Sequence, residues 1–415
     1  MSTTQELFEF IKSSPTAFHA ADTVRRALEA HGFVRLYEED EWQILPGKYY
    51  VMRGMSSVIA FKIPHSAKAH TPFSIIAAHT DSPMYKLKAN YTLDGGYGRL
   101  NTEKYGGMLA PTWLDRPLGI AGVITREKDG VISTELYDSG RPVCLIPSVA
   151  PHLDRESADG RKLNAQTDLM PLYAEMGTSL HLPEDTVSYD LYVYNREEPQ
   201  IFGAEGEFIC SARIDDLMCV FGMLQGFIRS HGEDNISVLC ALDSEEVGSV
   251  GRQGADSDFL EAVLCRISGD GYYRALSGSF LVSADNAHAL HPNHPELSDE
   301  TNRPKLNGGI VIKYNANMHY STDSRSAAVI KSICEKAGVP YSEYANRSDK
   351  PGGSTLGNIA LTHCSVMSAD IGLAQLAMHS AYECAGERDT AYLCSFAESF
   401  YNTGIIIEKD KVILK

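Results

Sequence analysis

Phe73-Ser74-Ile75-Ile76-Ala77-Ala78-His79-Thr80-Asp81 is an almost uninterrupted apolar run of strand length that ends in an imidazole and a carboxylate. A short run without polar alternation reads as a strand buried on both faces. An open α/β sheet gathers its functional groups at the carboxyl ends of such strands, and residues two apart point the same way there, so His79 and Asp81 form a pair. The pattern recurs along the chain. Residues 236–242 lead into Glu245-Glu246, residues 280–283 into Asp285, and the strand-like residues 208–212 into Asp215-Asp216. His379 stands in a less regular stretch beyond a run at 365–368.

Outward from these runs the chain divides into three segments. Residues 1–88 read as an amphipathic helix, short strands and the run quoted above. From 89 to 199 the texture turns to glycine-rich loops and alternating strands, with 120–125 and 131–136 flanking the hairpin signal Asp129-Gly130, and 188–194 alternating again. The α/β rhythm resumes over 200–415. Leu217, Val220, Phe221, Leu224, Phe227 and Ile228 fall at helical spacing before Gly232. A strand at 310–314, a helix at 323–336 stopped by Gly338 and Pro340, a helix at 390–401 and a short final strand follow. The expected fold is a three-layer α/β/α domain interrupted once by a mostly β insert.

At 415 residues with 43% hydrophobic composition the chain can bury a large core. Its nine cysteines include no Cys-x-x-Cys pair, and several sit in apolar runs, which fits a reducing, cytoplasmic compartment. The first 33 residues mix charge with apolar residues at helical spacing, so neither a secretory signal nor a membrane span is expected. A formal charge of −17 without a basic block argues against a nucleic-acid partner. The acidity serves solubility, and part of it can sit in a metal site where cations neutralise it.

The motifs carry the chemistry. One ring nitrogen of His79 can bind a metal while the Asp81 carboxylate orients the ring from the other side. Asp215 and Asp216 precede a helix, where one aspartate serves as a cap; a second beside it fits a carboxylate bridging two cations, a role assigned to Asp215. Adjacent carboxylates such as Glu245 and Glu246 repel each other unless they divide labour, one binding metal and the other acting as general base. His288 and His291 follow Asp285 without cysteines or a second histidine pair at finger spacing, so they read as pocket wall. These residues describe a two-metal hydrolytic site. Carboxypeptidase, N-deacylase and aminopeptidase chemistry all remain compatible with it, as does a catalytically silent binding protein that keeps the fold.

The order of these motifs resembles the aspartyl aminopeptidase family, which includes vacuolar aminopeptidase I. The resemblance runs from Ser14-Pro15-Thr16-Ala17-Phe18-His19 through Ala78-His79-Thr80-Asp81-Ser82-Pro83, Ala212-Arg213-Ile214-Asp215-Asp216 and Asp243-Ser244-Glu245-Glu246-Val247-Gly248-Ser249. It continues through Ser283-Ala284-Asp285-Asn286-Ala287-His288-Ala289-Leu290-His291-Pro292-Asn293 to Gln375-Leu376-Ala377-Met378-His379-Ser380. It implies two zinc ions per subunit, replaceable by Co2+ or Mn2+. His79 and Asp285 would hold one, Glu246 and His379 the other, with Asp215 bridging, Glu245 as general base and Asp81 in support. It further implies that His152, in Pro151-His152-Leu153, reaches the neighbouring subunit's active site, that the insert serves dimerisation, and that dimers build a dodecamer. Lys313 and Tyr320 match positions near the substrate pocket, where an ammonium could pair an acidic N-terminal side chain of a peptide with a free amine; similar proteins differ in acidic, neutral or basic preference, so neutral and basic N-terminal residues stay open as alternatives.

Overall fold

The computed structural model describes all residues except 94, 157–159, 177 and 179. Its larger sheet has thirteen strands, and four lie side by side at its centre: Ile236–Leu242, Phe73–His79, Phe280–Ala284 and Met367–Leu376, all mutually parallel. Alternation along each strand explains the layers. Ile76 and Ala78, with Leu239, Ala241, Phe280 and Val282, pack under the helices Ile214–Arg229, Ser324–Ala337 and Asp389–Asn402. Phe73, Ile75 and Ala77, with Val238, Cys240 and Leu281, face the helices Phe259–Ser268, Tyr272–Ser277 and Leu356–His363. A sheet covered on both faces needs apolar residues at every position, which is why these runs lack alternation.

The helix Ile214–Arg229 lies closely against Asp389–Asn402 because Gly222 and Gly226 face it; a Cβ on Gly226 would come within 2.5 Å of the Ala397 Cβ. The second sheet has six strands drawn from Met84–Leu93 to Thr186–Asn195 and encloses its own apolar cluster, around Trp113, Ile120, Leu191 and Val193. The hairpin read at Asp129-Gly130 joins Leu118–Lys128 to Val131–Asp138.

Three elements differ from the reading, the first being the N-terminal helix, which is a pair, Thr3–Lys12 and Ala17–Ala30. The strand expected at 365–368 spans Met367–Leu376. Its polar interruption, Asp370, is wholly buried and accepts from the Ser321 backbone and hydroxyl at 2.5 and 2.6 Å, and from the Thr355 hydroxyl. The single C-terminal strand is a hairpin of Ile405–Glu408 and Lys411–Leu414. Among the described residues no helix is long and apolar enough to cross a membrane.

Candidate active site and metal centre

Six side chains singled out in the sequence meet beyond the carboxyl ends of the central strands. His79 ends its strand, Asp285 follows Phe280–Ala284, and Glu245 and Glu246 begin a short 3-10 turn after Ile236–Leu242. Asp215 lies where the chain enters the helix Ile214–Arg229, with Asp215 and Asp216 still in non-helical conformations. His379 comes three residues after Leu376. The turns that aim these side chains contain left-handed residues at Arg213, Ser244, Ala377 and His379, with φ of 58, 69, 53 and 65°, a conformation that costs non-glycine residues energy and is held by the surrounding packing.

The two oxygens of Asp215 face a histidine each. Oδ1 lies 3.5 Å from His79 Nε2 and Oδ2 lies 3.4 Å from His379 Nε2, which is itself 3.4 Å from Glu246 Oε1. Three overlapping groups, each with ligand atoms within 4.8 Å of one another, follow: His79, Asp215, Asp216 and Asp285; His79, Glu245 and Glu246; and Asp215, Glu246 and His379. Among the described residues, buried Asp215 Oδ1, Asp216 Oδ1 and Glu246 Oε1 have no partner at good hydrogen-bond geometry, the histidine nitrogens facing Asp215 Oδ1 and Glu246 Oε1 from 3.5 and 3.4 Å. Oxygens left bare in a buried acidic cluster fit cations, since an unpaired buried carboxylate is otherwise costly. The nitrogen and oxygen donors suit zinc.

The electrostatics agree. Burial raises the Glu245 pKa to about 8, with the charges of Asp285, Asp81 and Asp215 adding to it against His79. Burial, then Asp215, pushes Glu246 well above the usual carboxylate range. Burial opposes ionisation of Asp215, but hydrogen bonding to His379 and His79 prevails and holds its pKa low. His379 is opposed by burial and carried to about 10 by Asp215 and Glu246. Proton binding and cation binding therefore compete here.

The supporting contacts refine the expectation for Asp81. The His79 Nδ1 hydrogen bond goes to the Asp81 main-chain carbonyl at 3.0 Å, while the Asp81 carboxylate is 3.5 Å away. That carboxylate instead accepts the backbone N–H groups of Glu245 and Glu246, both at 3.1 Å, and the Tyr105 hydroxyl at 2.8 Å. Asp216 supports the strand end rather than the helix, accepting the His79 backbone N–H at 3.3 Å. His379 Nδ1 donates to the Gly107 carbonyl at 2.5 Å, which leaves Nε2 free to act as a ligand. Gly372 admits Asp285, whose carbonyl oxygen would lie 2.0 Å from any Cβ there.

Glu383 escaped the sequence reading. It is buried, accepts the Asp215 backbone N–H at 3.0 Å through Oε2 and the His379 backbone N–H at 2.8 Å through Oε1, and thus ties two ligand-bearing turns together. The signal was a lone acid between Tyr382 and Cys384, since glutamate is rarely buried without a partner. Glutamine offers one acceptor where two are used, so Glu383→Gln is expected to weaken cation binding by about ten- to a hundredfold. A metal titration giving wild-type affinity would end that assignment.

A 320 Å³ cavity opens over the cluster, lined also by His288, Lys313 and Tyr320. Lys313 is buried, 3.6 Å from Asp285 Oδ1, with its ammonium 5.3 Å from the centre of the Tyr320 ring. Burial opposes the Lys313 charge, but Asp285 carries its pKa above the usual lysine value. His291 lines an adjoining cavity instead. His152 is exposed in a turn between the strands Val131–Asp138 and Leu172–Glu175 and does not line the catalytic cavity of its own chain.

A family model described as aminopeptidase I zinc metalloprotease (M18) matches residues 10–182 and 178–401. The probable M18 family aminopeptidase 2 of Clostridium novyi (strain NT) is 42% identical over 423 residues, covering 96% of this chain and 98% of the relative. Among solved structures, Ape4 in its complex with Nbr1 superposes with a TM-score of 0.93 at 34% identity, covering 96% of this chain and 85% of that one. The S. cerevisiae mApe1 dodecamer gives 0.83 at 27% identity, with 96% of each chain covered. With both sheets and the acidic–histidine cluster spanned by these matches, the chain belongs to the M18 aminopeptidase I zinc metalloproteases and is a metallo-aminopeptidase.

Proposed function

We propose that this aminopeptidase works with two zinc ions per subunit, for which Co2+ or Mn2+ can substitute, and removes acidic residues from the N-termini of peptides. The observation that carries the two-ion reading is Asp215, whose oxygens lie 3.5 and 3.4 Å from His79 and His379 on opposite sides. His79 and Asp285 would hold one ion, Glu246 and His379 the other, and Asp215 both. The ions supply Lewis acidity to the scissile carbonyl and to the attacking water. Glu245 takes the proton of that water and passes it to the leaving amine. Asp81 fixes the main chain of Glu245 and Glu246, so the base keeps its place as its proton comes and goes.

The acidic preference rests on Lys313. Asp285 engaged by an ion has less charge to offer the ammonium, which leaves it available to a substrate carboxylate. N-terminal Asp and Glu substrates should therefore be cleaved in preference to Leu or Lys, and Lys313→Met should erase about ten- to a hundredfold of that preference. An unchanged ratio among Asp, Leu and Lys substrates would remove Lys313 from the pocket. The 3.6 Å contact with Asp285 supports a second reading, in which Lys313 only steadies that ligand and neutral residues are preferred; a drop in cation affinity without a change in preference would favour it.

We further propose that residues 89–199 form a dimerisation domain, that His152 of one subunit completes its neighbour's site, and that dimers assemble into a dodecamer in the cytoplasm. The assembly in the mApe1 structure and nine cysteines free of disulfides support this. Co-assembling Glu245→Gln chains with His152→Phe chains should restore activity, because sound halves meet in mixed dimers. Continued inactivity after demonstrated subunit exchange would refute it.

A further inference from the structure

The catalytic cavity does not end at the metal cluster. Along His288, Tyr344 and Gly353 it abuts a second cavity of 570 Å³. The first, at 320 Å³, is near the lower end of the ~300–1,000 Å³ typical of ligand clefts. It suits a terminal residue and its scissile bond, so the rest of a peptide has to continue elsewhere, and the adjoining cavity is where space is open.

The charge lining that second cavity is unlike the chain's. Against a formal charge of −17, its wall presents the cations Lys350 and Arg347. Arg347 is occupied: its guanidinium pairs with Asp349 at 2.8 and 2.9 Å and donates to the Glu296 carbonyl. Asp299 also lines the cavity, but one of its oxygens is turned into its own loop, accepting from Thr301 and Asn302. Lys350 differs from both. It is exposed, and among the described residues it forms no ion pair, although Asp349 is its chain neighbour. The loop that carries it, Lys350-Pro351-Gly352-Gly353, runs from this cavity to the edge of the catalytic one.

We infer that this cavity receives the residues after the scissile bond, and that Lys350 selects peptides placing a carboxylate there, from an acidic side chain or from the C-terminus of a short peptide. The inference rests on the aminopeptidase reading and is independent of which N-terminal residue is preferred. An interaction made equally in the bound and transition states alters KM and leaves kcat alone.

The test uses peptides that share whichever N-terminal residue the enzyme cleaves best. One pair, both C-terminally amidated, carries Glu or Lys at the third position. A second pair has the same neutral sequence as free acid and as amide. The wild-type enzyme should show a KM about two- to fivefold lower for the Glu peptide than for its Lys partner, in the range of exposed ion pairs, and Lys350→Glu should reverse that order. The second pair assigns the carboxylate: a matching preference for the free acid, lost in the variant, identifies the C-terminus as a further source, and its absence restricts recognition to side chains. The N-terminal aminoacyl p-nitroanilide, which lacks residues beyond the scissile bond, reports folding and metal loading of each preparation. KM ratios unchanged in a Lys350→Glu enzyme that turns over the anilide would overturn the subsite. Failure of the wild-type enzyme to cleave either anilide or peptides would instead overturn the aminopeptidase reading, and the subsite with it.

Discussion

Glu245→Gln is expected to keep its cations and lose about a hundred- to ten-thousandfold in turnover, the usual cost of removing a general base. The amide preserves the shape of the side chain, and the backbone N–H of residue 245 would still reach Asp81. What disappears is a proton acceptor whose pKa is raised to about 8 by burial and neighbouring carboxylates. Metal content measured beside kcat separates the two effects. A variant with both near normal would show that another group takes the proton.

Asp215→Asn should fail differently. Its two oxygens serve both sides of the cluster, so one substitution removes negative charge from two places and leaves an amide nitrogen facing a histidine. Because outer contacts alone are typically worth ten- to a hundredfold in metal affinity, loss of the shared ligand is expected to cost at least about a hundredfold. Retention of two ions at wild-type affinity would exclude the bridge. In the wild-type protein, acid should also strip the ions: Glu246, its pKa raised by burial and by Asp215, must give up its proton to bind metal, so affinity falls as pH falls.

The residues that sequence revealed are those whose signal is local. A buried strand and the acid or imidazole at its end are neighbours in the chain, so His79, Asp285 and Glu245-Glu246 could be read from short apolar runs. The supporting partners could not. Gly107 receives the His379 hydrogen bond from 272 positions away, and nothing around a glycine in a loop forecasts that. Asp370 misled for a related reason: an acid inside an apolar run ends a strand on paper, whereas Ser321 and Thr355 allow it to be buried. Lys313 read as a strand-end cation that only the family resemblance brought near the pocket, and its closeness to Asp285 depends on how two strands are placed, which composition does not encode.

Three contacts reach the metal centre from the strand Tyr97–Tyr105 of the six-stranded sheet and the loop after that strand. The Tyr105 hydroxyl holds Asp81, the Gly107 carbonyl holds the His379 ring, and the Leu109 backbone N–H holds the His379 carbonyl at 3.0 Å. The centre is thus a keystone between two bodies of the chain, its ligands drawn from one and braced by the other. Uptake of metal during refolding should then trail the appearance of either sheet, and a cut in the connections between them should cost the protein its ions before it costs the protein its secondary structure.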